Sequence, residues 1–306
     1  MSAIRGPFRG YFLLVILVSV LGCEKELDYT FPASERLVVF GTLTPERGAS
    51  IRVSRSLPQD GSEVLINDLW VEDAAVDLVT MGDTIQLLPK GEGRYETPVS
   101  KLPFVAGQEY KLFVTHAKWP PVSTSSITIP QPIPDDVQFS VRLTGELWLG
   151  NTGEPEVLMN LNWADLPGTT NYLIQLDALT DPTFPLQAKV VGEEELDICG
   201  LENRQPPNGI YFTDDCFRDQ TIDLNLLGGI RDSVYFDIDL PPQPLGRLQL
   251  RLSVVDDNYI QFLRDQIPLE TELGLGEASP TFTNVVGGYG IITGVNTRSI
   301  TFRRPG

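Results

Sequence analysis

Cys23 is the residue whose position most clearly indicates covalent chemistry. Arg5 and Arg9 precede an apolar run from Tyr11 to Leu21, and Gly22 separates that run from Cys23. About a dozen apolar residues are too few for a helix that spans a bilayer, which takes roughly 20, so we interpret the run as part of a cleaved signal peptide. The pattern is typical of a bacterial lipoprotein signal, in which the Cys23 thiol receives lipid. A free-standing membrane helix is the alternative.

This interpretation predicts a signal peptide over residues 1–22 and a short tether over residues 23–33. The tether begins with two acidic residues, Glu24 and Glu26, and shows no hydrophobic periodicity. Two or three acyl chains on Cys23 would contribute about 0.8 kcal/mol per buried methylene, enough for stable membrane attachment. We therefore expect the membrane to be a partner through the lipid on Cys23.

The charge of the chain limits its other partners. Removal of residues 1–22 from the 306-residue chain leaves 284 residues, enough for two domains of ordinary size. Because Arg5 and Arg9 leave with the signal, the formal net charge moves from −18 to −20. Nucleic acids and anionic lipid surfaces attract clustered Lys and Arg, so this acidic chain is not expected to bind nucleic acid.

The two other cysteines, Cys199 and Cys216, lie in a polar stretch rich in Asp, Asn, Pro and Gly. An exported chain meets an oxidising compartment, which favours a disulfide between them over two free thiols. Closing this loop would contribute roughly 3 kcal/mol. A zinc site is the alternative, but it needs further ligands and the single histidine, His116, is distant in the sequence.

The sequence offers little for catalysis. His116 follows a predicted strand and is most simply a strand-end residue, and the nucleophile-elbow, zinc-helix and phosphate-loop motifs are missing. Adjacent acids such as Asp256 and Asp257 could serve a glycosidase, but neighbouring acids rarely converge on one bond. Asp214 and Asp215 could contribute to a calcium site, although no calcium-loop spacing is present. We expect a non-enzyme without a cofactor or a bound metal, and calcium stays open.

Three tryptophans are candidate binding residues. Trp70 follows Asn67-Asp68, Trp119 lies between Lys118 and Pro120, and Trp148 lies between two leucines. A rigid ring on a loop offers contact area at a small entropic cost. Partial burial in the fold is the alternative for each of them.

Period-two alternation predicts the elements that position these residues. In the first half the predicted strands are 37–41, 50–54, 75–79, 84–87, 93–95, 110–114 and 123–129. Short strands at this spacing indicate a β-sandwich. Pro130, Pro132 and Pro134 then form an extended connector, which gives an N-terminal sandwich over residues 34–132.

The second half, residues 133–306, predicts another sandwich. A tryptophan on an early strand, Trp163, followed by a Tyr-led alternating strand from Asn171 is similar to a fibronectin type III arrangement, in which the ring packs between two sheets. Near the C-terminus the period becomes helical between Asp256 and Gln266, and Asp256 or Asp257 is suited to the helix start. The fold class is therefore all-β, with two immunoglobulin- or fibronectin-III-like sandwich domains and one short helix near the C-terminus.

The chain resembles the Bacteroidetes outer-membrane lipoproteins classed as domain of unknown function 4249. The resemblance rests on the start at Cys23, the strand 37–41 with 51–56, the segment 71–76, and the C-terminal motifs 279–285 and 287–294. It covers essentially the whole mature chain. Ile292 stands where the family pattern has Phe, a change between bulky apolar residues that should alter packing more than function. The glycines of 287–290 are expected to permit close backbone approach or positive φ.

The resemblance implies context rather than chemistry. Such lipoproteins are typically encoded beside TonB-dependent transporters, so we expect an accessory or substrate-capture role at such a transporter in the outer membrane. The acidic residues after Cys23 also resemble the signal that sends these lipoproteins to the cell surface. A stand-alone surface adhesin that binds glycan or peptide is the alternative.

Overall fold

The computed structural model describes residues 35–57, 65–147, 155–168, 170–179, 186–190, 209–214, 221–230, 247–266 and 282–303. These residues form an all-β fold with a sandwich arrangement and one short α-helix near the C-terminus, so the predicted fold class is confirmed at that level. The finer assignment to immunoglobulin- or fibronectin-like domains stays a prediction. The described part of the chain contains no helix with the length and apolar character of a membrane span.

The strands of the first half mostly coincide with the alternating segments. They are β1 Leu37–Thr44, β2 Gly48–Arg55, β3 Ala75–Thr80, β4 Asp83–Gln86, β5 Leu88–Gly91, β6 Arg94–Glu96, β7 Glu109–Thr115, β8 Val122–Thr124 and β9 Ile127–Thr128. Two 3₁₀-helices, Ile66–Leu69 and Val99–Lys101, lie between them. The segment 123–129, predicted as one strand, is interrupted between β8 and β9, where the Ser125 amide donates to the Asn284 carbonyl at 3.0 Å.

The second half contains the longer strands and the α-helix. They are β10 Gln138–Leu147, β11 Pro155–Ala164, β12 Asn171–Ala178, β13 Leu186–Val190, β14 Ile210–Thr213, β15 Thr221–Ile230, β16 Arg247–Val255, α1 Asp257–Gln266, β17 Val285–Val286 and β18 Tyr289–Arg303.

An eight-stranded central sheet runs through both halves in the order β14-β12-β16-β18-β1-β2-β6-β5. Its middle is a parallel pair of the first and last strands, with Val38 opposite Tyr289 and Leu43 opposite Gly294. Beyond Gly294, β18 pairs antiparallel with β16 as far as Arg303. One strand from the end of the chain therefore joins both halves of the sheet.

The N-terminal core lies between β1, β2 and β6 of the central sheet and a second sheet ordered β17-β8-β7-β3-β4, with β9 beside β7. Period-two alternation explains which residues of β1 enter this core. Leu37, Val39 and Leu43 lie on one face of the strand and are fully buried. Val285 and Ile292, from the end of the chain, belong to the same core. Ile292 is fully buried and therefore has a packing role, as expected.

The C-terminal core lies between β12, β14 and β16 of the central sheet and a four-stranded sheet ordered β10-β11-β15-β13. Trp163 of β11 is 1% exposed in this core, which confirms its prediction as a core residue. Its ring centroid is 5.4 Å from that of Tyr172 in an edge-to-face arrangement. Burial raises the pKa of Tyr172 to about 12.

Residues 129–134, which contain the three prolines, carry no strand. The connector instead runs beside β18, where Asn296 Nδ2 donates to the Pro130 carbonyl at 3.1 Å and Arg298 Nη1 donates to the Pro134 carbonyl at 2.7 Å. The last strand, β18, which we call the closing strand, contributes side chains to both cores. The predicted boundary between residues 132 and 133 stays a prediction.

The glycines of the closing motif allow backbone to approach backbone. A Cβ placed on Gly290, whose φ is +113°, would lie 2.0 Å from the Val39 carbonyl oxygen, and one on Gly288 would lie 2.4 Å from the Leu37 carbonyl oxygen. No side chain fits at these distances. The expectation of close approach and positive φ is therefore confirmed, and the glycines serve the β1–β18 pairing.

Asp256, one of the two residues predicted to suit the helix start, caps α1. Its carboxylate accepts from the Tyr259 amide at 3.1 Å, the usual capping bond, and also from Thr293 Oγ1 at 2.6 Å and the Gly294 amide at 2.9 Å. Burial raises the pKa of Asp256, while these hydrogen bonds act in the opposite direction. The residue thus ties the helix to the closing strand.

Candidate functional site

A pocket of about 390 Å³ at one end of the N-terminal core brings together two of the predicted tryptophans. We call it the tryptophan pocket. Its lining comes from the start of β1, the end of β2, the segment before β3 and the loop after β7, and consists of Glu35, Arg55, Asp68, Trp70, Val71, Asp73, His116, Lys118 and Trp119. Strand ends from both sheets of the N-terminal sandwich therefore meet here.

The segment that carries Trp70 lies beside β2. Trp70 forms an isolated bridge with Ser54, and the Val71 amide donates to the Val53 carbonyl at 3.1 Å. Successive side chains of an extended segment point to opposite sides, so Val71 is buried in the core and Trp70 lies half-buried at the pocket. The alternation of side chains along the extended segment thus places the Trp70 indole at the surface.

The buried Tyr95 hydroxyl makes two hydrogen bonds to the backbone of the same segment. Its hydroxyl donates to the Val71 carbonyl at 2.9 Å and accepts from the Ala74 amide at 3.0 Å. The ring is 1% exposed, and burial raises the pKa of Tyr95. A buried tyrosine therefore fixes the backbone on both sides of Asp73.

Trp70 is restrained by its neighbours. The guanidinium of Arg52 lies 4.8 Å from the centre of the indole, a cation–π distance. Arg52 also lies 3.8 Å from a carboxylate oxygen of Glu92. A Cβ on Gly93 would meet the Val53 carbonyl oxygen at 2.3 Å, so only glycine lets the chain pass this close behind Trp70.

His116 is 3% exposed by side chain, and both of its ring nitrogens have protein partners. The Lys118 amide donates to Nδ1 at 3.0 Å, so the proton of the neutral ring belongs on Nε2, which lies 2.8 Å from Asp73 Oδ1. The imidazole also lies 4.4 Å from the ring of Trp119, tilted by 36°. The histidine is thus used to orient Asp73 and Trp119.

Trp119 is held at its edge as well as on its face. Its Nε1 donates to Glu35 Oε2 at 3.3 Å, and the other oxygen of Glu35 pairs with Arg55. Arg55 Nε in turn donates to the Asp68 carbonyl at 3.2 Å. A chain of polar contacts therefore links the start of β1, the end of β2 and both tryptophan segments.

The charges of the pocket are mostly balanced. Glu35, Asp68 and Asp73 face Arg55 and Lys118, and within the described ranges Lys118 makes no ion pair. The hydrogen bond from His116 lowers the pKa of Asp73 below its ordinary 3.8, and the Asp73 side chain is 82% exposed. The pocket thus offers a charged acceptor beside two indole rings, together with an ammonium group that has no ion-pair partner among the described residues.

The acids considered for paired-carboxylate chemistry are engaged in the fold where the structure describes them. Asp256 caps α1, Asp257 accepts from Asn171 Nδ2 at 2.7 Å, and buried Asp214 accepts from the Thr170 amide at 2.8 Å. Asp256 and Asp257 line a cleft of about 460 Å³ near the junction of the two cores. Their oxygens have structural partners there.

Several predicted residues lie outside the described ranges: Cys23, Cys199, Cys216 and Trp148. The lipid attachment, the disulfide and the third tryptophan therefore stay predictions. Among the residues that the structure does describe, no three or more His, Cys, Asp or Glu side chains are grouped as a metal site.

Sequence reasoning missed the partners that complete the tryptophan pocket. Asp73 is 43 residues from His116, and Glu35 is 84 residues from Trp119. Each has the ordinary appearance of a charged residue at a strand end. The one available signal was that several polar or aromatic residues follow predicted strands of one sandwich.

Two comparisons with known proteins bear on the chain. A family model described as domain of unknown function (DUF4249) matches residues 24–301. A search of the curated proteins found no match.

Proposed function

Since the chain belongs to the DUF4249 family, we propose that it is a non-catalytic lipoprotein of the outer membrane, anchored through Cys23 and facing the cell surface. In this proposal it is an accessory or substrate-capture subunit of a TonB-dependent transporter, and the tryptophan pocket is where the captured molecule binds. The family match begins one residue after Cys23, which is consistent with a mature chain that starts there.

The observation that carries the proposal is the place of Glu35 in the pocket wall. Glu35 is the twelfth residue after Cys23, and a fully extended chain of that length reaches roughly 40 Å. A lipid on Cys23 would therefore keep the pocket within about 40 Å of the membrane surface, where a transporter opens. A capture site for a transporter needs this proximity, whereas a freely secreted binding protein does not.

The contacts of His116 support a binding role over catalysis. A general base needs a ring nitrogen that can reach the substrate. In His116 both nitrogens already have partners in the backbone of Lys118 and in Asp73. Among the described residues of the pocket lining there is also no Ser, Thr or Cys that could act as a nucleophile.

Replacement of Cys23 by Ala tests the anchor. Without the thiol no lipid can be attached, so Cys23→Ala protein should leave the membrane fraction or accumulate as an uncleaved precursor. Cys199→Ser is the control, because it removes a cysteine and leaves the signal intact. Mature-sized Cys23→Ala protein that still sediments with outer membrane at high salt would contradict the anchor.

Co-purification tests the partner. The lipoprotein, extracted from outer membrane in a mild detergent, should bring a TonB-dependent transporter with it. Repeated recovery of the lipoprotein alone, with its lipid attached, would count against the accessory role.

A second candidate is a stand-alone adhesin for glycan or peptide, in which the two indole rings of the tryptophan pocket would contact the ligand. Ligand binding on cells that lack any co-purifying transporter would favour the adhesin.

A further inference from the structure

The two indoles of the tryptophan pocket are held in fixed positions before any ligand arrives. Trp119 is fixed by its bond to Glu35 and by the His116 ring, and Trp70 is fixed by Arg52. Both side chains are half-buried, so part of each ring faces the pocket. Rigid aromatic rings give contact area with little loss of entropy, which is the usual property of residues that dominate binding.

The polar groups beside the rings provide both an acceptor and a donor. The carboxylate of Asp73 is largely exposed and is oriented by His116, while Lys118 extends an ammonium group without an ion-pair partner among the described residues. Arg55 is already bonded to Glu35 and to the Asp68 carbonyl. A ligand therefore meets hydrogen-bonding groups of both kinds next to an apolar surface.

The charge balance argues against a strongly charged ligand. Three carboxylates face two cations in the lining, so no cluster of positive charge is present to hold an anion. A cation would be repelled by Arg52, which lies over Trp70, and by Arg55 and Lys118. The pocket suits a neutral ligand that has an apolar face and several hydroxyl groups.

We propose that the tryptophan pocket binds a neutral saccharide, with the C–H face of a sugar ring against Trp70 or Trp119 and its hydroxyls bonded to Asp73 and Lys118. Polarised C–H groups match the negative face of an indole, and hydroxyls both donate and accept. A pocket of about 390 Å³ lies in the usual range for small-ligand sites. This inference rests on the proposed capture function and names its substrate class.

The test is titration calorimetry on the full lipoprotein, extracted in a polyoxyethylene detergent that carries no sugar headgroup. The probes are five neutral oligosaccharides: maltohexaose, cellohexaose, xylohexaose, mannohexaose and chitohexaose. Hexagalacturonate and hexa-alanine are the charged and peptide comparators. Saturable binding of at least one neutral hexasaccharide at up to millimolar concentration is expected, with neither comparator binding more tightly.

The variants assign the binding to the pocket. Trp70→Ala should weaken it at least about 30-fold, as is usual for a dominant aromatic contact. Trp119→Phe, which keeps a ring in place, should weaken it by a smaller factor. Tyr289→Ala is the matched control, since Tyr289 is also exposed and also lies near an arginine, with Arg36 at 5.7 Å, but it is outside the pocket lining. A thermal melt of each variant checks that it is folded.

Three outcomes overturn the saccharide inference: no saturable binding of any neutral hexasaccharide, tighter binding of either comparator, or binding that folded Trp70→Ala and Trp119→Phe both retain in full. None of these alone affects the accessory role, which depends on co-purification of the transporter with the wild-type protein. Saccharide binding without any transporter would instead favour the adhesin.

Discussion

Tryptophan side chains occupy two opposite environments in this protein. Trp163 lies in one of them, and Trp70 and Trp119 lie in the other. Trp163 is 1% exposed and contacts the rings of Tyr172 and Phe212, whose centroids are 5.4 and 6.4 Å away. Trp70 and Trp119 are half-buried, and their rings lie beside Arg52 and His116. The first environment is made of apolar rings, and the second is made of charged and polar groups.

The difference follows from where each residue lies relative to its strand. Trp163 is within β11 and points toward the opposite sheet, so it has no route to solvent. Trp70 and Trp119 follow the ends of regular elements, where the chain leaves the sandwich. Trp163, inside a strand, therefore belongs to the core, whereas Trp70 after a 3₁₀-helix and Trp119 after β7 keep part of their rings exposed.

The two cores also differ in how they are completed. Among the described residues, the buried side chains of the C-terminal core come from β11 to β16 and the connector, and β18 adds only the partly buried Ile300 and Phe302. The N-terminal core instead includes Val285 and Ile292, from the end of the chain, among its buried residues. The β1–β18 pairing brings Ile292 into that core, and the pairing of β17 with β8 brings in Val285. The half that carries the pocket thus depends on a long-range contact for its stability.

The largest expected effect is that of Trp163→Ala. Removal of a large, fully buried ring typically lowers the free energy of unfolding by about 3–5 kcal/mol, which would lower the melting temperature by roughly 10 °C. Thermal and urea unfolding measure this change, and Trp163→Phe should lose less. A Trp163→Ala protein as stable as wild type would contradict the structural role of this ring.

A slightly smaller loss is expected when the closing strand is disturbed. Gly290→Ala combines a φ of +113° with a Cβ 2.0 Å from the Val39 carbonyl oxygen, and strain plus overpacking should cost roughly 2–4 kcal/mol. Gly82→Ala is the matched control, because Gly82 has a φ of +90° and nothing within 4 Å of its Cβ. It should cost about 1 kcal/mol, for the backbone conformation alone.

Urea unfolding of the two glycine variants separates close approach from backbone conformation. Equal losses of stability in Gly290→Ala and Gly82→Ala would mean that the β1–β18 approach contributes nothing.

Trp70→Ala should affect stability much less than Trp163→Ala. The Trp70 ring is half-buried and its backbone contact to Ser54 is kept in the variant, so a loss of about 1 kcal/mol is expected, in the ordinary range for a substitution that creates no cavity in the core. Urea unfolding of Trp70→Ala and Trp163→Ala under one condition measures the loss of unfolding free energy in each variant. Equal losses would remove the distinction between a structural and a ligand-facing tryptophan.

The smallest expected effect is the pH dependence of the Asp73–His116 contact. The pKa of Asp73 in the folded protein is lowered from 3.8, so the stability that this contact contributes is present above pH 3.8 and is lost as the pH falls through the lower folded value. Asp73→Asn removes the charge. Wild type and variant should therefore differ slightly in urea midpoint near neutral pH and converge in acid. If the urea midpoints of wild type and Asp73→Asn still differed by the same amount at low pH, the Asp73 charge would not be the source of the stability difference.

The sequence by itself determined the features that depend on neighbouring residues. Period-two alternation predicted most strands of both sandwiches, because a strand with one buried face has an apolar residue at every second position. It also predicted the core position of Trp163, a helix start at Asp256 or Asp257 and the close approach of the closing glycines. Each of these signals lies within a few residues of the feature that it predicts.

Only the tertiary structure decided which distant strands become neighbours. Nothing local in β1 or β18 indicates that they pair in parallel, and nothing local in Asp73 or Glu35 indicates His116 or Trp119 as a partner. A strand's own pattern fixes which face is buried, but its neighbour in the sheet is chosen by the packing of both cores together. The tryptophan pocket is a product of that choice, since it exists only where the ends of separate strands are brought to one end of the sandwich.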